Sequence, residues 1–466
     1  MRINRIAGKN FKSFDDFSID FNDFDVLIGS NASGKSNIIE TLRFLRDIYN
    51  HGIQTAIDFQ GDIDNILNRN SGNSRKIWLQ FTFKSEFGIP SISELYLLQD
   101  IFLSKQVKKS PSSKIKEFLG FYAKETVYTL EIDVSKNRKE IKEIKERIEL
   151  VGFFDIFYQD KWEDPYEIID EDIMGNPGKI IIQPKNDELI IKYPSIDIKM
   201  VDDDIALLFY EPLSEEEAKK AFKSKWKDKN RALINPLIVN RASKKYADNR
   251  NFLQTVDRYI LPNSNLISIL TFDLYPRAMK QGSMINTKTN LDEEGRNLPQ
   301  ILYRILKNEE TKKQFLNLLS YVLPFVKDLK ISVMEDRSNI TMISESYHKD
   351  KDLAAAYMSD GTVIIIALIT ALFFSDGDII IIEEPERNLH PKVIPQIVEL
   401  MNESARNRQV IITTHNPEFV RWASLEKLLL VYRNERGGSS VIRPKDIEYV
   451  EEFIENEIGI DNIFVN

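Results

Sequence analysis

The chain has 466 residues, of which 42% are hydrophobic and 29% charged, and this ordinary globular composition excludes a disordered, collagen-like or fibrous coiled-coil protein. Its 63 Lys and Arg against 72 Asp and Glu give a formal charge of −9, so any face that binds nucleic acid has to be a local basic patch. The sequence contains no cysteine and only 4 histidines, which excludes disulfides and Cys-ligated zinc and argues against a multi-histidine metal site.

The first 28 residues predict two strands. The N-terminus lacks the apolar core of a signal peptide, so we expect a cytoplasmic protein. Phe17, Ile19 and Phe21 alternate with polar residues, which is typical of a half-buried strand. The apolar run 24–28 then predicts a second, buried strand.

A glycine-rich loop follows this second strand and fits the pattern G-x-x-x-x-G-K-[ST]. Apolar residues at helical spacing from Ile38 to Ile48 predict a helix of about three turns behind it. In this setting successive backbone N–H groups point at phosphate oxygens, Lys35 reaches the β- and γ-phosphates, and Ser36 ligates Mg²⁺. A chance glycine-rich turn is the alternative, and the strand before and the helix after argue against it. The predicted phosphate contacts are Gly29, Ser30, Asn31, Ala32, Ser33, Gly34, Lys35, Ser36 and Asn37.

The pattern is less regular between about residues 85 and 335. Apolar runs predict strands at 128–134 and 179–183. The spacing of Ile141, Ile144 and Ile148 suits a helix but does not exclude a strand. The lysine-rich stretch 105–116, which contains Ser-Pro-Ser-Ser, predicts an exposed loop.

One basic segment stands out against the acidic total. Residues 219–250 contain eleven Lys and Arg but only Asp228 and Asp248 as acids. A helix there could follow DNA phosphates, with Trp226 available for stacking on a base. A solvated helix face balanced by the acidic residues 215–217 is an equally good interpretation. The candidate DNA or partner contacts are Lys219, Lys220, Lys223, Lys225, Lys227, Lys229 and Arg231.

The C-terminal third predicts alternating helices and strands. The apolar stretch 363–382 is interrupted at 375–378, so neither half reaches the ~20 residues that span a bilayer, and no membrane association is expected. We predict a buried helix from Thr362, a buried strand at 379–382, a helix at about 391–405 and a strand at 409–413. Apolar strands separated by helices indicate a parallel sheet covered on both faces. A hairpin at 428–443 and a short helix would complete the chain.

Polar residues follow two of these strands. Glu383 and Glu384 end the strand at 379–382, at the edge of a parallel sheet where ligands bind. There one carboxylate can hold the Mg²⁺ shell and the next can orient and deprotonate an attacking water. His415 follows the strand at 409–413, and its position favours a γ-phosphate sensor over a hydrogen-bonded core histidine.

These motifs together resemble the ABC-type ATPases of the SMC, RecF and OLD branch, an AAA_21-like group. Residues 359–362, Ser-Asp-Gly-Thr, are similar to the signature motif of these ATPases and open the apolar helix. Residues 388–391, Asn-Leu-His-Pro, stand at the D-loop position between the acidic strand and the His415 strand. Residues 10–14 and 291–298 also resemble segments of this branch. The ordered set covers most of 1–84 and 270–430, and the middle of the chain is only weakly covered.

The resemblance implies an α/β fold, an ABC-type P-loop ATPase head with a mixed sheet flanked by helices, split by a long α+β insertion lobe. The corresponding segments are 1–84 (N-terminal head), 85–335 (insertion and signature-side helices) and 336–466 (C-terminal head). It also implies a homodimer, or a larger oligomer of dimers, in which two chains pair head to tail with two ATP molecules between them.

The same resemblance assigns roles to single residues. Ser359 and Gly361 would contact the γ-phosphate bound by Lys35 of the partner chain. Glu384 would be the catalytic base, Glu383 would hold Mg²⁺ through water, and His415 would complete the site. The chain departs from the family in having Glu383 where Asp is common, which leaves the metal geometry open. No Q-loop glutamine is identified.

Several kinds of ABC ATPase are excluded by the sequence. The signature follows the P-loop too late for a transporter subunit, and there are no heptads for an SMC arm. The stretch after His415 is too short for an OLD-type Toprim nuclease, so we expect any nuclease to be a separate chain. The favoured function is an ATP-driven switch that senses DNA or a phage product and controls a nuclease effector in trans, as in bacterial or archaeal anti-phage systems. The alternatives are a RecF-like repair clamp or loader and a nucleotide-dependent scaffold with negligible ATPase activity.

Overall fold

The structure is a computed structural model of the whole chain, and it describes most but not all residues. The lysine-rich stretch 105–116, nearly all of the basic segment 219–250 and the predicted C-terminal helix lie outside the described residues. The described residues are 2–69, 75–89, 117–135, 140–158, 176–185, 188–192, 196–202, 205–210, 244–246, 251–259, 268–284, 288–333, 338–346 and 352–444.

The described chain alternates between long antiparallel strands and βα units. The strands are β1 Arg2–Phe11, β2 Phe14–Asp20, β3 Phe24–Ile28, β4 Lys76–Ile89, β5 Glu117–Val134, β6 Ile141–Tyr158, β7 Asn176–Lys185, β8 Glu188–Lys192, β9 Ile196–Asp202, β10 Ile205–Tyr210, β11 Ile269–Phe272, β12 Ser283–Met284, β13 Val326–Val333, β14 Ser338–Glu345, β15 Asp352–Ala354, β16 Ile379–Glu383, β17 Gln409–Thr414, β18 Leu428–Arg433 and β19 Ser439–Ile442. The helices are α1 Lys35–His51, α2 Ile53–Phe59, α3 Ile63–Ile66, α4 Phe252–Tyr259, α5 Pro276–Met279, α6 Leu298–Lys307, α7 Glu309–Val322, α8 Asp360–Phe373, α9 Ile394–Ala405 and α10 Pro417–Trp422.

A six-stranded mixed sheet forms the centre of the fold, in the order β11-β16-β17-β3-β18-β19. The first five strands are parallel and β19 returns antiparallel to β18. Side chains alternate along each strand between two hydrophobic cores, so that Ile379 and Ile381 enter one and Ile380 and Ile382 the other. The predicted parallel sheet covered on both faces is therefore confirmed, as are the strands and helices predicted around it.

The helices on one face of this sheet carry the signature-like segment. Helix α8 is buried from Thr362 to Leu372, because it packs among α6, α7, α9 and the sheet. Strands β12–β15 form a small antiparallel sheet against α6. Among the described residues no helix combines the length and apolar character needed to cross a membrane.

A seven-stranded antiparallel sheet, in the order β2-β1-β4-β5-β6-β7-β8, joins the N-terminal strands to the insertion. Its inner face packs on α1 and α2 and shares a core with the central sheet. The predicted segment boundary at 84/85 falls inside β4, and the one at 335/336 falls between the paired strands β13 and β14. The division into 1–84, 85–335 and 336–466 stays a prediction about sequence segments.

Two elements differ in kind or length from the expected pattern. The stretch with Ile141, Ile144 and Ile148 is strand β6 and not a helix. Ile144 and Ile148 are four residues apart, a spacing that places side chains on one face of a helix and also on one face of a strand. The irregular register at the start of β6 brings Ile141 to the same core. Helix α1 has 17 residues and is longer than the three turns expected, since it continues to Gly52, whose φ of 83° ends it.

Candidate functional site

The phosphate-binding loop connects β3, the fourth strand across the central sheet, to α1. Its backbone takes the left-handed conformation at Ala32 (φ 61°) and at Gly34 (φ 118°), which aims the following amides into the cleft. A Cβ at Gly29 would lie 2.1 Å from the carbonyl oxygen of Val431, so only glycine fits where the loop leaves β3. Helix α1 begins directly at Lys35. The local geometry is that of an anion cradle at a helix N-terminus.

The ammonium of Lys35 lies inside this loop. Its Nζ donates to the carbonyl oxygens of Gly29 at 2.6 Å and Ser30 at 3.0 Å. Burial lowers the pKa of Lys35, while the charges of Glu384 and Glu386 oppose that shift. A buried cation that donates to two carbonyl oxygens inside the loop is prepared to accept an anionic ligand.

Residues far apart in sequence hold the loop in place, and two of them, Arg433 and Ser439, were not predicted from the sequence. Ser439 in β19 donates from Oγ to the carbonyl oxygen of Ser33 at 2.6 Å and contacts Ser13 Oγ at 2.8 Å. Asn37 Nδ2 donates to the same Ser13 hydroxyl at 2.6 Å. Arg433 donates from Nε to the carbonyl oxygen of Ala32 at 2.8 Å. The segment 10–14 noticed in the sequence thus touches the loop through Ser13.

The acidic pair lies beside this loop because β16 and β3 both flank β17. Glu384 has a φ of 43°, and its N–H donates to the carbonyl oxygen of Thr413 at 2.9 Å. A left-handed glutamate is a strained conformation that is concentrated at functional sites. This left-handed backbone turns the chain at Glu384 out of the direction of β16 and towards the end of β17.

Two cationic or potentially cationic groups contact Glu384. Its Oε1 is 3.1 Å from Nδ1 of His415, and its Oε2 accepts from Nε of Arg387 at 3.0 Å. Burial alone would raise the pKa of Glu384, but Arg387 and His415 together hold it below its ordinary value. The carboxylate is therefore ionised at neutral pH and oriented by two partners.

Arginines not noticed in the sequence organise the rest of the carboxylates. Arg43 on α1 donates to Oε1 of Glu383 at 2.7 Å and also pairs with Glu293. Burial raises the pKa of Glu383, and the Arg43 charge opposes this. Arg387 joins Glu384 to Asp273, which follows β11 at the same edge of the sheet, at 2.8 Å. Helical spacing from Ser36 could have pointed to Arg43, but nothing in the sequence pairs it with Glu383.

The loop that carries His415 has its own buried anchor. The hydroxyl of Thr414 donates to Oε1 of Glu386, and the N–H of Asn416 donates to Thr414 Oγ1 at 2.9 Å. Glu386 is 7% exposed. Since Asn416 also caps α10 through the N–H of Glu418, the backbone on both sides of His415 is fixed. The His415 side chain itself is exposed and free to meet a ligand.

One cleft brings most of the predicted site residues together. Of the sequence-predicted residues, those from Asn31 to Asn37, Glu383 and Glu384 line it, with Thr413, Arg387 and Arg433 beside them. Of the other predicted site residues, His415 does not line the cleft itself but contacts Glu384, which does. The lining also lacks Gly29, Ser30, Ser359 and Gly361. Ser359 caps α8 by accepting from the N–H of Thr362, and a Cβ on Gly361 would lie 2.9 Å from the carbonyl oxygen of Asn388. The signature and D-loop segments therefore touch each other at a separate place.

The donor set in this cleft fits a magnesium–nucleotide complex. Ser36 and Glu383 line the same cleft, and Mg²⁺ prefers hard oxygen ligands such as hydroxyls and carboxylates together with substrate phosphates. The hydroxyl of Ser33 is buried with no hydrogen-bond partner in the described residues, although it lies in the loop that would hold the phosphates. No cluster of three or more acidic or histidine ligands occurs in the described part of the chain.

The fold and the cleft together define a P-loop nucleotide-binding protein of the α/β class. Within that class the chain belongs to the AAA_21 family, described as "AAA domain, putative AbiEii toxin, Type IV TA system", which matches residues 25–421. The expected membership of an AAA_21-like group is thereby confirmed, and the mixed sheet flanked by helices agrees with the expected α/β fold class.

Comparisons with individual proteins give partial or distant matches. A stretch of 62 residues is 47% identical to "Uncharacterized protein MJ1542" of Methanocaldococcus jannaschii and covers 13% of this chain but only 8% of that protein. An SMC head bound to the C-winged helix domain of ScpA is 11% identical with a TM-score of 0.43, over 95% of this chain and 98% of that one. The SMC head domain from Thermotoga maritima is 12% identical with a TM-score of 0.40, over 96% of this chain and 100% of that one.

Proposed function

We propose that the protein is an Mg²⁺-dependent ATPase that works as a molecular switch between an ATP-bridged dimer and separate chains. The observation that carries the proposal is the contact of His415 with the carboxylate of Glu384, a residue with a strained backbone that lines the same cleft as the P-loop. A base held beside a phosphate cradle is the arrangement that hydrolysis of a phosphoanhydride requires.

Each group in the cleft has a distinct task in this proposal. The loop amides and Lys35 bind and orient the phosphates, for which Lys35 leaves its two carbonyl partners. Ser36 and Glu383 hold the metal, which supplies charge neutralisation at the phosphates when bound. Glu384 accepts the proton of the attacking water, since its depressed pKa keeps it ionised before the reaction. His415 contacts the terminal phosphate and reports its presence.

The signature segment is proposed to act on the nucleotide of a partner chain. Ser359 and Gly361 do not line the cleft of their own chain, which supports a contact with the γ-phosphate bound by a second copy. The hydroxyl of Ser359 already caps α8, which fixes it at a helix N-terminus where an anion is stabilised. Losing the γ-phosphate removes these shared contacts, so hydrolysis would release the dimer.

Replacing Ser359 by alanine tests the role in trans. We expect kcat for ATP hydrolysis to fall roughly 10- to 100-fold while the dissociation constant for ATP changes less than about threefold, because the first nucleotide contact is made by the P-loop of the other chain. Steady-state hydrolysis and equilibrium binding of a fluorescent ATP analogue measure the two quantities. A variant that loses ATP affinity but keeps its kcat would remove Ser359 from this role.

The biological role proposed for the switch is control of an effector in anti-phage defence. The family description names an AbiEii-type toxin of a type IV toxin–antitoxin system, which supports a role in abortive infection over transport or chromosome tethering. The effector is proposed to be a separate nuclease, and the trigger to be double-stranded DNA or a phage product. The basic segment 219–231 is the proposed DNA contact, on its charge alone.

Hydrolysis of ATP by the purified chain, with and without double-stranded DNA, tests the proposal. We expect Lys35→Ala to abolish turnover and DNA to raise turnover of the unchanged chain severalfold. Reversal of Lys223, Lys225 and Lys227 to Glu should remove the DNA effect without changing basal turnover. Turnover indifferent to DNA would reject DNA as the trigger, and no turnover above that of Lys35→Ala would favour the scaffold alternative.

A further inference from the structure

Arg43 lies where three segments of the chain meet. It is on the same face of α1 as Ser36 and Glu40, seven and three residues before it. Its guanidinium pairs with Glu40 at 2.8 Å, with Glu383 at 2.7 Å, and with Glu293 of the segment between β12 and α6. The Arg43 side chain is 16% exposed, so these charges meet largely away from water. A single side chain thus connects the P-loop helix, the acidic strand and the segment that leads into α6.

The contact with Glu383 involves only one of the two carboxylate oxygens. Nη2 of Arg43 donates to Oε1, whereas Oε2 accepts no hydrogen bond from any residue that the structure describes. Glu383 lines the cleft together with Ser36, and its Oε2 is the oxygen left for a ligand there. A glutamate has one more rotatable bond than the aspartate common at this position, so an unrestrained carboxylate would lose more conformational entropy on holding a metal. The planar guanidinium of Arg43 is itself held by Glu40 and Glu293, so its hydrogen bond fixes the position of the Oε1 atom that it binds.

We propose that Arg43 is a positioning residue that holds Glu383 by Oε1 and presents Oε2 to the metal shell. The contact restricts the rotations of the glutamate side chain, which has one more rotatable bond than an aspartate would have. This inference rests on the proposed function, because it assumes that Glu383 and Ser36 hold Mg²⁺ with a nucleotide. The neighbouring Arg46 lies one turn further along α1 and binds Thr271 at 2.7 Å and Asp47, with a longer 3.9 Å approach to Glu293, but does not contact Glu383. Arg46 therefore offers a matched control on the same helix.

The connection to Glu293 extends the effect beyond the cleft. The backbone carbonyl of Glu293 accepts from the N–H of Asp273, and Asp273 is the partner of Arg387, which orients Glu384. A carboxylate held by Arg43 is therefore tied to the same framework that positions the proposed base. Groups that support a metal ligand in this way commonly change metal affinity by about 10- to 100-fold when they are removed.

The test measures how much Mg²⁺ strengthens nucleotide binding, which does not depend on turnover. The dissociation constant of a fluorescent ADP analogue is determined in EDTA and in saturating Mg²⁺ for the unchanged chain, Arg43→Ala and Arg46→Ala. We expect Arg43→Ala to reduce the strengthening by Mg²⁺ about tenfold and to leave the constant in EDTA within about twofold. Arg46→Ala should keep the full effect of Mg²⁺. Equal losses in the two variants would overturn the positioning role.

A double-mutant cycle separates positioning from general stability. If Arg43 acts through Glu383, Arg43→Ala adds little to the loss of the Mg²⁺ effect already caused by Glu383→Gln, whereas independent effects would multiply. The more conservative Arg43→Lys keeps the charge without the planar fork, and it serves if the alanine variant does not fold; we expect it to lose part of the Mg²⁺ effect. Full retention of the Mg²⁺ effect in Arg43→Lys would show that the planar guanidinium is not needed.

If Lys35→Ala leaves nucleotide binding in EDTA unchanged, the proposed function itself fails, and that result is distinct from any outcome at Arg43.

Discussion

Glu384→Gln is expected to bind ATP, lose roughly 10²- to 10⁴-fold in kcat, and accumulate as an ATP-bridged dimer. Glutamine keeps the size of the side chain and an oxygen that can face His415, so the cleft should stay intact. It cannot accept a proton from water at neutral pH, because an amide lacks the basicity of the carboxylate. The bridging γ-phosphate would then persist, and with it the contacts that only the ATP state makes.

Sedimentation velocity with ATP and Mg²⁺ measures this accumulation directly. Lys35→Ala should remain monomeric under the same conditions, and adding it to Glu384→Gln should abolish the dimer. The exposed Glu403, which pairs with Arg406 on the surface, provides a matched Glu→Gln control that should behave as the unchanged chain. Monomers that persist in Glu384→Gln with bound ATP would contradict the sandwich arrangement, whatever the hydrolysis rate.

The central sheet could be predicted from the sequence because each of its strands and helices is indicated by a short continuous pattern of apolar residues. An uninterrupted run such as 379–382 has to be buried on both faces, and a helix such as α8 that is apolar on all sides has to be enclosed. The antiparallel sheet was harder to predict. In β6, residues four apart share a face in either period, so Ile144 and Ile148 could not distinguish strand from helix. Pairing β1 with β4 also joins segments about 70 residues apart, which no local pattern specifies.

Some residues of the candidate site could be predicted from the sequence, and others could not. The P-loop, Glu384 and His415 could be named from sequence because each follows a strand whose carboxyl end must lie at the edge of the sheet. The residues that hold these groups in place are distant from them in sequence. Ser439 reaches the P-loop only because β18 pairs with β3, and Arg43 reaches Glu383 only because α1 packs beside the end of β16. The charge of an arginine predicts a partner but does not identify it.

A buried carboxylate in the seven-stranded sheet is expected to have a large effect on the pH dependence of stability. Glu146 on β6 points into the core between Ile144 and Ile148 in the alternation, and it accepts a hydrogen bond from the hydroxyl of Tyr128 at 2.7 Å. Glu146 is 7% exposed and Tyr128 is fully buried. Burial raises the pKa of Glu146 from its usual 4.5 to about 7, although the Tyr128 hydroxyl stabilises the ionised form.

The raised pKa makes the folded state more stable at low pH. Below about pH 4.5 the carboxyl is protonated in both states, so this group imposes no penalty. Between pH 4.5 and 7 it ionises in the unfolded chain only, and stability falls by about 3 kcal/mol once the pH exceeds the folded pKa of about 7. The cost arises because proton release is easier in water than in the core, so ionisation favours unfolding.

Glu146→Gln should therefore stabilise the protein at pH 8 by about 2–3 kcal/mol and change little at pH 5, since the amide oxygen can still accept from Tyr128 and never ionises. Melting temperatures of the two chains at both pH values measure the difference, in which the other titrating groups cancel. The neighbouring Glu149 is ion-paired with Arg147 and Lys179, so Glu149→Gln should give no such gain at high pH. An equal shift for Glu146→Gln at pH 5 and pH 8 would mean that the carboxyl ionises in the folded chain as it does in water, and the core around β6 would then have to admit solvent.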